Sequence, residues 1–182
     1  MLRITIPAFE GWDESKQEFV QMNKEQTLQL EHSLVSLSKW ESKWCKIFLS
    51  KKSKTREETI DYIKCMTLTQ NVNPDVYNYL TAENFKQIEE YIQAPMTATY
   101  FAKDLPGGNK SSEQVSSELI YYWMIALNIP FECQKWHLNR LLTLIRVCNV
   151  KNSPPKKMSK RDIMSRNRAL NEARKQQMNT RG

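Results

Sequence analysis

A chain of 182 residues with 40% apolar content and five tryptophans can bury enough nonpolar surface to order most of its length, which excludes general disorder and leaves room for one domain plus an appendage. The formal charge of +7 is unevenly placed: residues 1–150 hold 17 Lys/Arg against 18 Asp/Glu, a balance of −1, and residues 151–182 hold 10 against 2, a balance of +8. That split excludes a uniformly basic nucleic-acid-binding body and puts the excess positive charge in the C-terminal segment.

The N-terminus opens on Met1-Leu2-Arg3 without an apolar leader, so no export signal is expected. Leu2, Ile4 and Ile6 alternate with Arg3 and Thr5 before Pro7, a period of two that predicts a short strand. A second strand is predicted at Glu18 to Met22, after a polar turn around Gly11-Trp12-Asp13-Glu14, and the two strands are expected to pair as a hairpin. Thr27-Leu28-Gln29-Leu30-Glu31 alternates again and can add a third strand.

From Ser33 the period changes. Leu34, Leu37, Trp40, Trp44, Ile47 and Phe48 recur at three- and four-residue steps, predicting an amphipathic helix whose solvated side carries Lys39, Glu41, Lys43 and Lys46. Thr55 and Glu58 have the spacing of a capping box and start a helix to about Leu68. Asn73-Pro74 starts a short turn through Val76, Tyr77 and Leu80, and Thr81 caps the next helix, with Phe85, Ile88, Tyr91 and Ile92 inward.

Asp104 to Ser112 concentrates the residues of a mobile loop, after which a helix is predicted from Ser112-Glu113 through Leu119, Tyr122, Trp123 and Leu127. Its apolar run is about half the ~20 residues a membrane span needs, so no membrane association is expected. Asn128-Ile129-Pro130 turns the chain into a buried helix running from Phe131 through Trp136, Leu138, Leu141 and Ile145 to Cys148, with Arg140 and Arg146 pointing elsewhere. Pro154-Pro155 ends it.

The domain organisation read from these signals is a compact body over 1–150, a Pro/Lys linker over 151–158 and a basic helix and tail over 159–182. The fold class is α+β and predominantly α-helical, a small N-terminal β hairpin or three-stranded sheet packed on a helical core, with an extended C-terminal basic helix.

Chemistry is sparse. Gly107-Gly108-Asn109-Lys110-Ser111 lacks the glycine spacing and Gly-Lys pair of a phosphate loop. Only His32 and His137 are available for acid–base work. Cys133 and His137, four apart on a predicted helix, lack the C-x-x-C partners of a zinc site; His137 reads as a helix-surface histidine. All four cysteines, Cys45, Cys65, Cys133 and Cys148, read as buried reduced thiols. Glu57/Glu58 and Glu89/Glu90 diverge by about 100° on a helix and read as a cap and a solvated face. Trp40, Trp44, Trp123 and Trp136 read as core, and Trp12 as the most exposed indole. No catalytic, cofactor or metal residues are assigned, and an enzyme is not expected.

The remaining signal is the C-terminal segment, where Ser159-Lys160-Arg161-Asp162 opens a helix to about Met178. The expected partner-binding residues are the basic Lys156, Lys157, Lys160, Arg161, Arg166, Arg168, Arg174 and Lys175 and the apolar Ile163, Met164 and Leu170. Such a helix suits a protein surface, with nucleic-acid phosphate less favoured.

The segments 27–44 and 120–131, with Trp136-His137-Leu138-Asn139-Arg140-Leu141-Leu142 and Pro154-Pro155-Lys156-Lys157-Met158-Ser159, resemble a family of small proteins of tailed phages and prophages, over nearly the whole chain. The resemblance implies a tail assembly chaperone that acts in the bacterial host cytoplasm and binds the tape-measure protein and tail-tube subunits; a homo-oligomer is a further expectation for the chain. The alternatives are a virion structural protein, as a head-to-tail connector or minor tail protein, and a DNA-binding accessory protein using the basic helix.

Overall fold

The computed structural model describes residues 1–15, 17–99, 101, 114–153 and 160–178. It divides the chain into two units, Met1–Asn149 and Val150–Gly182. The fold is α+β and mostly helical, with two small antiparallel sheets at the N-terminus.

Strand β1 (Leu2–Ile6) pairs with β4 (Gln26–Leu30), setting Ile4 opposite Leu28 and Leu2 opposite Leu30. Their shared period of two buries Ile4, Ile6, Leu28 and Leu30 on one face. Between these strands the chain makes a separate hairpin, β2 (Phe9–Asp13) with β3 (Glu18–Asn23).

Two expectations are corrected here. The region around Gly11-Trp12-Asp13 is a strand rather than a turn, and Glu18–Met22 pairs with it rather than with Leu2–Ile6. The reason is register. Leu28 and Leu30 fall opposite Ile4 and Leu2 and are buried with Ile4 and Ile6, whereas Phe19 and Met22 of β3 stay exposed and Val20 lies opposite Gly11. Gln17, at φ 54°, takes the left-handed conformation just before β3.

Helix α1 (Leu34–Trp44) starts on Ser33, whose hydroxyl accepts from Ser36 N–H while the Ser36 hydroxyl accepts from Ser33 N–H. It ends earlier than the apolar spacing predicts because Cys45 takes the left-handed conformation at φ 50°, turning the chain so that Phe48 folds back onto Trp40 and Tyr62. Helix α2 (Arg56–Met66) carries the expected reciprocal box: Thr55 Oγ1 accepts from Glu58 N–H, and Glu58 Oε2 accepts from Thr55 N–H.

A 3-10 helix, Pro74–Tyr79, follows the Asn73 cap, and α3 (Ala82–Gln93) follows the Thr81 cap. Asn84 Nδ2 donates to the Thr5 carbonyl and ties the start of α3 to β1. Helix α4 (Ser117–Ala126) begins on the Ser116 cap, later than the predicted Ser112-Glu113 start. The predicted loop at 104–112, Pro154, Pro155 and Ser159 lie outside the described residues.

The helix expected from Phe131 is split. A 3-10 helix, Phe131–Lys135, leaves Phe131 exposed, and α5 (Leu138–Asn152) starts after Trp136-His137. The break lets His137 bridge Ser33 and lets Leu138 N–H donate to the His32 carbonyl at 2.7 Å, contacts a continuous helix would forbid. The core joins β1 and β4 to α1, α2, α3, α4 and α5, with Leu34, Leu37, Trp40, Ile63, Ile120 and Leu138 among its fully buried side chains. No described helix is long and apolar enough to cross a membrane. The second unit contains α6 (Lys160–Met178).

Candidate partner-binding helix

The expected binding residues Lys160, Arg161, Ile163, Met164, Arg166, Arg168, Leu170, Arg174 and Lys175 all lie on α6, and all are exposed. Lys156 and Lys157 fall outside the described residues. Nineteen residues give a rod of about 28 Å.

At about 100° per residue the side chains separate into two surfaces. Ile163 and Leu170, seven apart, lie within about 20° of one another, with Arg174 about 20° beyond Ile163 on one side and Arg166 about 40° beyond Leu170 on the other, between Leu170 and Ala173. Met164 falls about 100° from Ile163 and about 20° from Lys175, outside this stripe, and its 73% exposure contrasts with 44% for Ile163 and 46% for Leu170. Arg161, Arg168 and Lys175, again seven apart, form a row on the other side. A helix with an apolar stripe edged by arginines can lie along another apolar helix and fix its register by charge.

The body's titratable groups are arranged differently. His32 and His137 are both buried, with ring centroids 5.2 Å apart. This corrects the surface placement of His137, and Cys133 is on the 3-10 helix rather than sharing a helical face with it. His137 Nε2–H donates to the Tyr91 carbonyl at 3.0 Å, and its Nδ1 accepts from Asn139 N–H at 3.3 Å, so both nitrogens are used by the neutral ring. His32 Nδ1 is 2.5 Å from the Tyr62 hydroxyl. Burial, with His137 adding to it, lowers the His32 pKa to about 3, and burial also lowers that of His137. Both rings are neutral structural elements that knit β4, α2, α3 and the start of α5.

Glu41 is also corrected. It is 6% exposed rather than solvated, and its carboxylate accepts from Phe48 N–H at 2.8 Å through Oε1 and from Ser117 N–H at 2.7 Å through Oε2. The signal was present in the spacing: Glu41 is seven residues from Leu34 and four from Leu37, inside the arc those leucines define with Trp40. Beside it, Glu58 pairs with Lys46, and Asp61 pairs with Lys43 and accepts from Trp44 Nε1–H at 2.9 Å. The Lys46 ammonium holds the Glu58 carboxyl below the usual carboxylate range.

Of the four free thiols, Cys133 is buried as expected, Cys65 and Cys148 are half-buried, and Cys45 is exposed because it caps α1 at the surface. Trp12 is exposed as expected, Trp40 is buried, and Trp44, Trp123 and Trp136 are half-buried against the core. Among the described residues no group of three His, Cys, Asp or Glu converges as a metal site, and no buried side-chain nitrogen or oxygen lacks a partner. No protein family, curated protein or solved structure matches the chain.

Proposed function

We propose that this protein is a non-enzymatic tail assembly chaperone of a tailed phage, acting in the bacterial cytoplasm and holding the tape-measure protein, with tail-tube subunits recruited to the complex. The observation that carries this reading is α6: a 19-residue helix whose described side chains are all exposed, with an Ile163–Leu170 stripe flanked by Arg166 and Arg174. An exposed apolar stripe gains stability when covered, and the long helical segments of a tape-measure protein offer the matching surface. The polar chemistry of the body supports the same reading, because His32, His137 and Glu41 are engaged in holding the fold.

Co-expression with the tape-measure protein of the same phage tests it. The full chain is expected to form a soluble complex, and Ile163→Ser with Leu170→Ser to weaken capture at least about tenfold, the effect of losing two apolar anchors. Absence of a complex, with the protein abundant in mature particles, would transfer the assignment to a virion structural component. Duplex binding that falls steeply with salt, at the expense of tape-measure binding, would transfer it to a DNA-binding accessory protein.

A further inference from the structure

The β2–β3 hairpin has the opposite character to α6. Trp12 and Phe19 are directly cross-strand, their rings 5.2 Å apart and edge-on, and they remain 53% and 70% exposed. A cross-strand aromatic pair left open to solvent marks a contact surface rather than a core. Glu10 shares their face by strand alternation, and residues 9–23 together hold four Asp/Glu against one Lys. Residues 160–178 hold six Lys/Arg against two Asp/Glu.

We propose that the Trp12–Phe19 face of the hairpin receives the basic row Arg161, Arg168 and Lys175 of a second copy, joining copies head to tail. The chemistry matches on two counts. Guanidinium groups stack on exposed aromatic rings, and neighbouring carboxylates neutralise them. The dimensions also agree: Arg161 and Arg168 are about 10 Å apart along the helix, and Glu10 and Glu14 span up to ~13 Å along the hairpin. One arginine can cover the aromatic pair while the next meets a carboxylate.

The contact is heterologous, since each copy offers a hairpin and a helix, so it propagates into chains or closes into rings rather than stopping at a two-fold dimer. The basic row lies on the other side of α6 from the Ile163–Leu170 stripe, so self-association and the tape-measure contact use separate surfaces. The inference stands independently of the tail-assembly reading.

Sedimentation velocity on purified full-length protein tests it through complementation. The wild type is expected to sediment faster with rising concentration in low salt and to return to monomer in high salt, where screening removes the attraction. Trp12→Ser with Phe19→Ser destroys the hairpin half of the contact, and Arg161→Glu with Arg168→Glu and Lys175→Glu destroys the helix half. Each variant alone should associate at least about tenfold more weakly than wild type. An equimolar mixture of the two variants retains one intact surface from each. It should give a heterodimer that grows no further.

All five positions are exposed, and unchanged circular dichroism verifies each fold. A wild type that stays monomeric at every concentration, a triple-charge variant that associates normally, or a mixture that stays monomeric would each overturn the proposal. The tape-measure capture experiment fails or succeeds separately, through Ile163 and Leu170.

Discussion

Replacing Glu41 tests the internal logic of the body. Its two carboxylate oxygens each accept a backbone N–H, one from Phe48 in the turn after α1 and one from Ser117 at the start of α4, positions separated by 7 and 76 residues in sequence. In Glu41→Gln the amide oxygen can accept only one of these, and its NH2 group faces the other donor. Losing one charge-assisted bond costs about 2 kcal/mol. Glu41→Ala strands both buried N–H groups, at about 2 kcal/mol each, for a total of roughly 4 kcal/mol. A domain of this size shifts by about 3 °C per kcal/mol, so Tm should fall by about 6 °C for Gln and about 12 °C for Ala. Thermal and urea unfolding followed by circular dichroism give both numbers, and hydrogen exchange should show the Ser117 and Phe48 amides losing protection. The exposed Glu57→Gln serves as the control, expected within about 0.5 kcal/mol of wild type. If Glu41→Gln matches that control, the carboxylate does not clamp α4 and the reasoning fails.

Three further outcomes are expected. His32 and His137 have pKa values lowered by burial, so between pH 6.5 and the His32 value of about 3 the unfolded chain takes up protons that the folded chain does not. Stability from these residues is therefore complete above pH 6.5 and lost as pH falls, by up to about 1.4 kcal/mol per pH unit for each histidine. Urea midpoints measured from pH 7 to 4.5 check this, and a profile no shallower in His32→Gln would contradict it. Thr55→Ala removes the oxygen that accepts from Glu58 N–H and should cost about 1 kcal/mol in urea titration, with an unchanged midpoint refuting the cap. Leu37→Ala, at a fully buried position, should cost about 3 kcal/mol with little change in m-value; a cost under about 1 kcal/mol would mean the centre of the core is misplaced.

What was legible in the sequence is what is local. Alternation identified β1 and β4, and cap chemistry located the starts of α2 and α3, because Thr55 and Thr81 act on amides three residues away. Strand partners were not legible: the choice of β4 over β3 for β1 depends on parity matching across the hairpin between them. Glu41 was hidden by its charge, although its helical phase placed it inward, because the compensating amide of Ser117 lies 76 residues on. His137 was misplaced for the same reason, its partners coming from α3 and β4. On α6, stripe and row are periodic within one segment, so the sequence alone placed those residues on one helix. Phe19 was missed as a surface aromatic, since its exposure follows from the register with Trp12.

The nesting of β2–β3 between β1 and β4 also bears on how such a protein can change. Ile6 lies opposite Gln26, so the chain leaves and re-enters the core-facing sheet at adjacent points, and everything from Pro7 to Glu25 is an excursion anchored at its base by Asn23 Nδ2 donating to the Pro7 carbonyl. Lengthening or exchanging an excursion of this kind costs only a fraction of a kcal/mol in closure entropy, because that cost grows with the logarithm of length. The four buried side chains of β1 and β4 are left untouched by such an exchange. Residues 7–25 can therefore change in length and sequence at their tip while the β1–β4 pairing stays in place, provided the Asn23 bond to Pro7 and the packing of Phe9 on Tyr79 are kept.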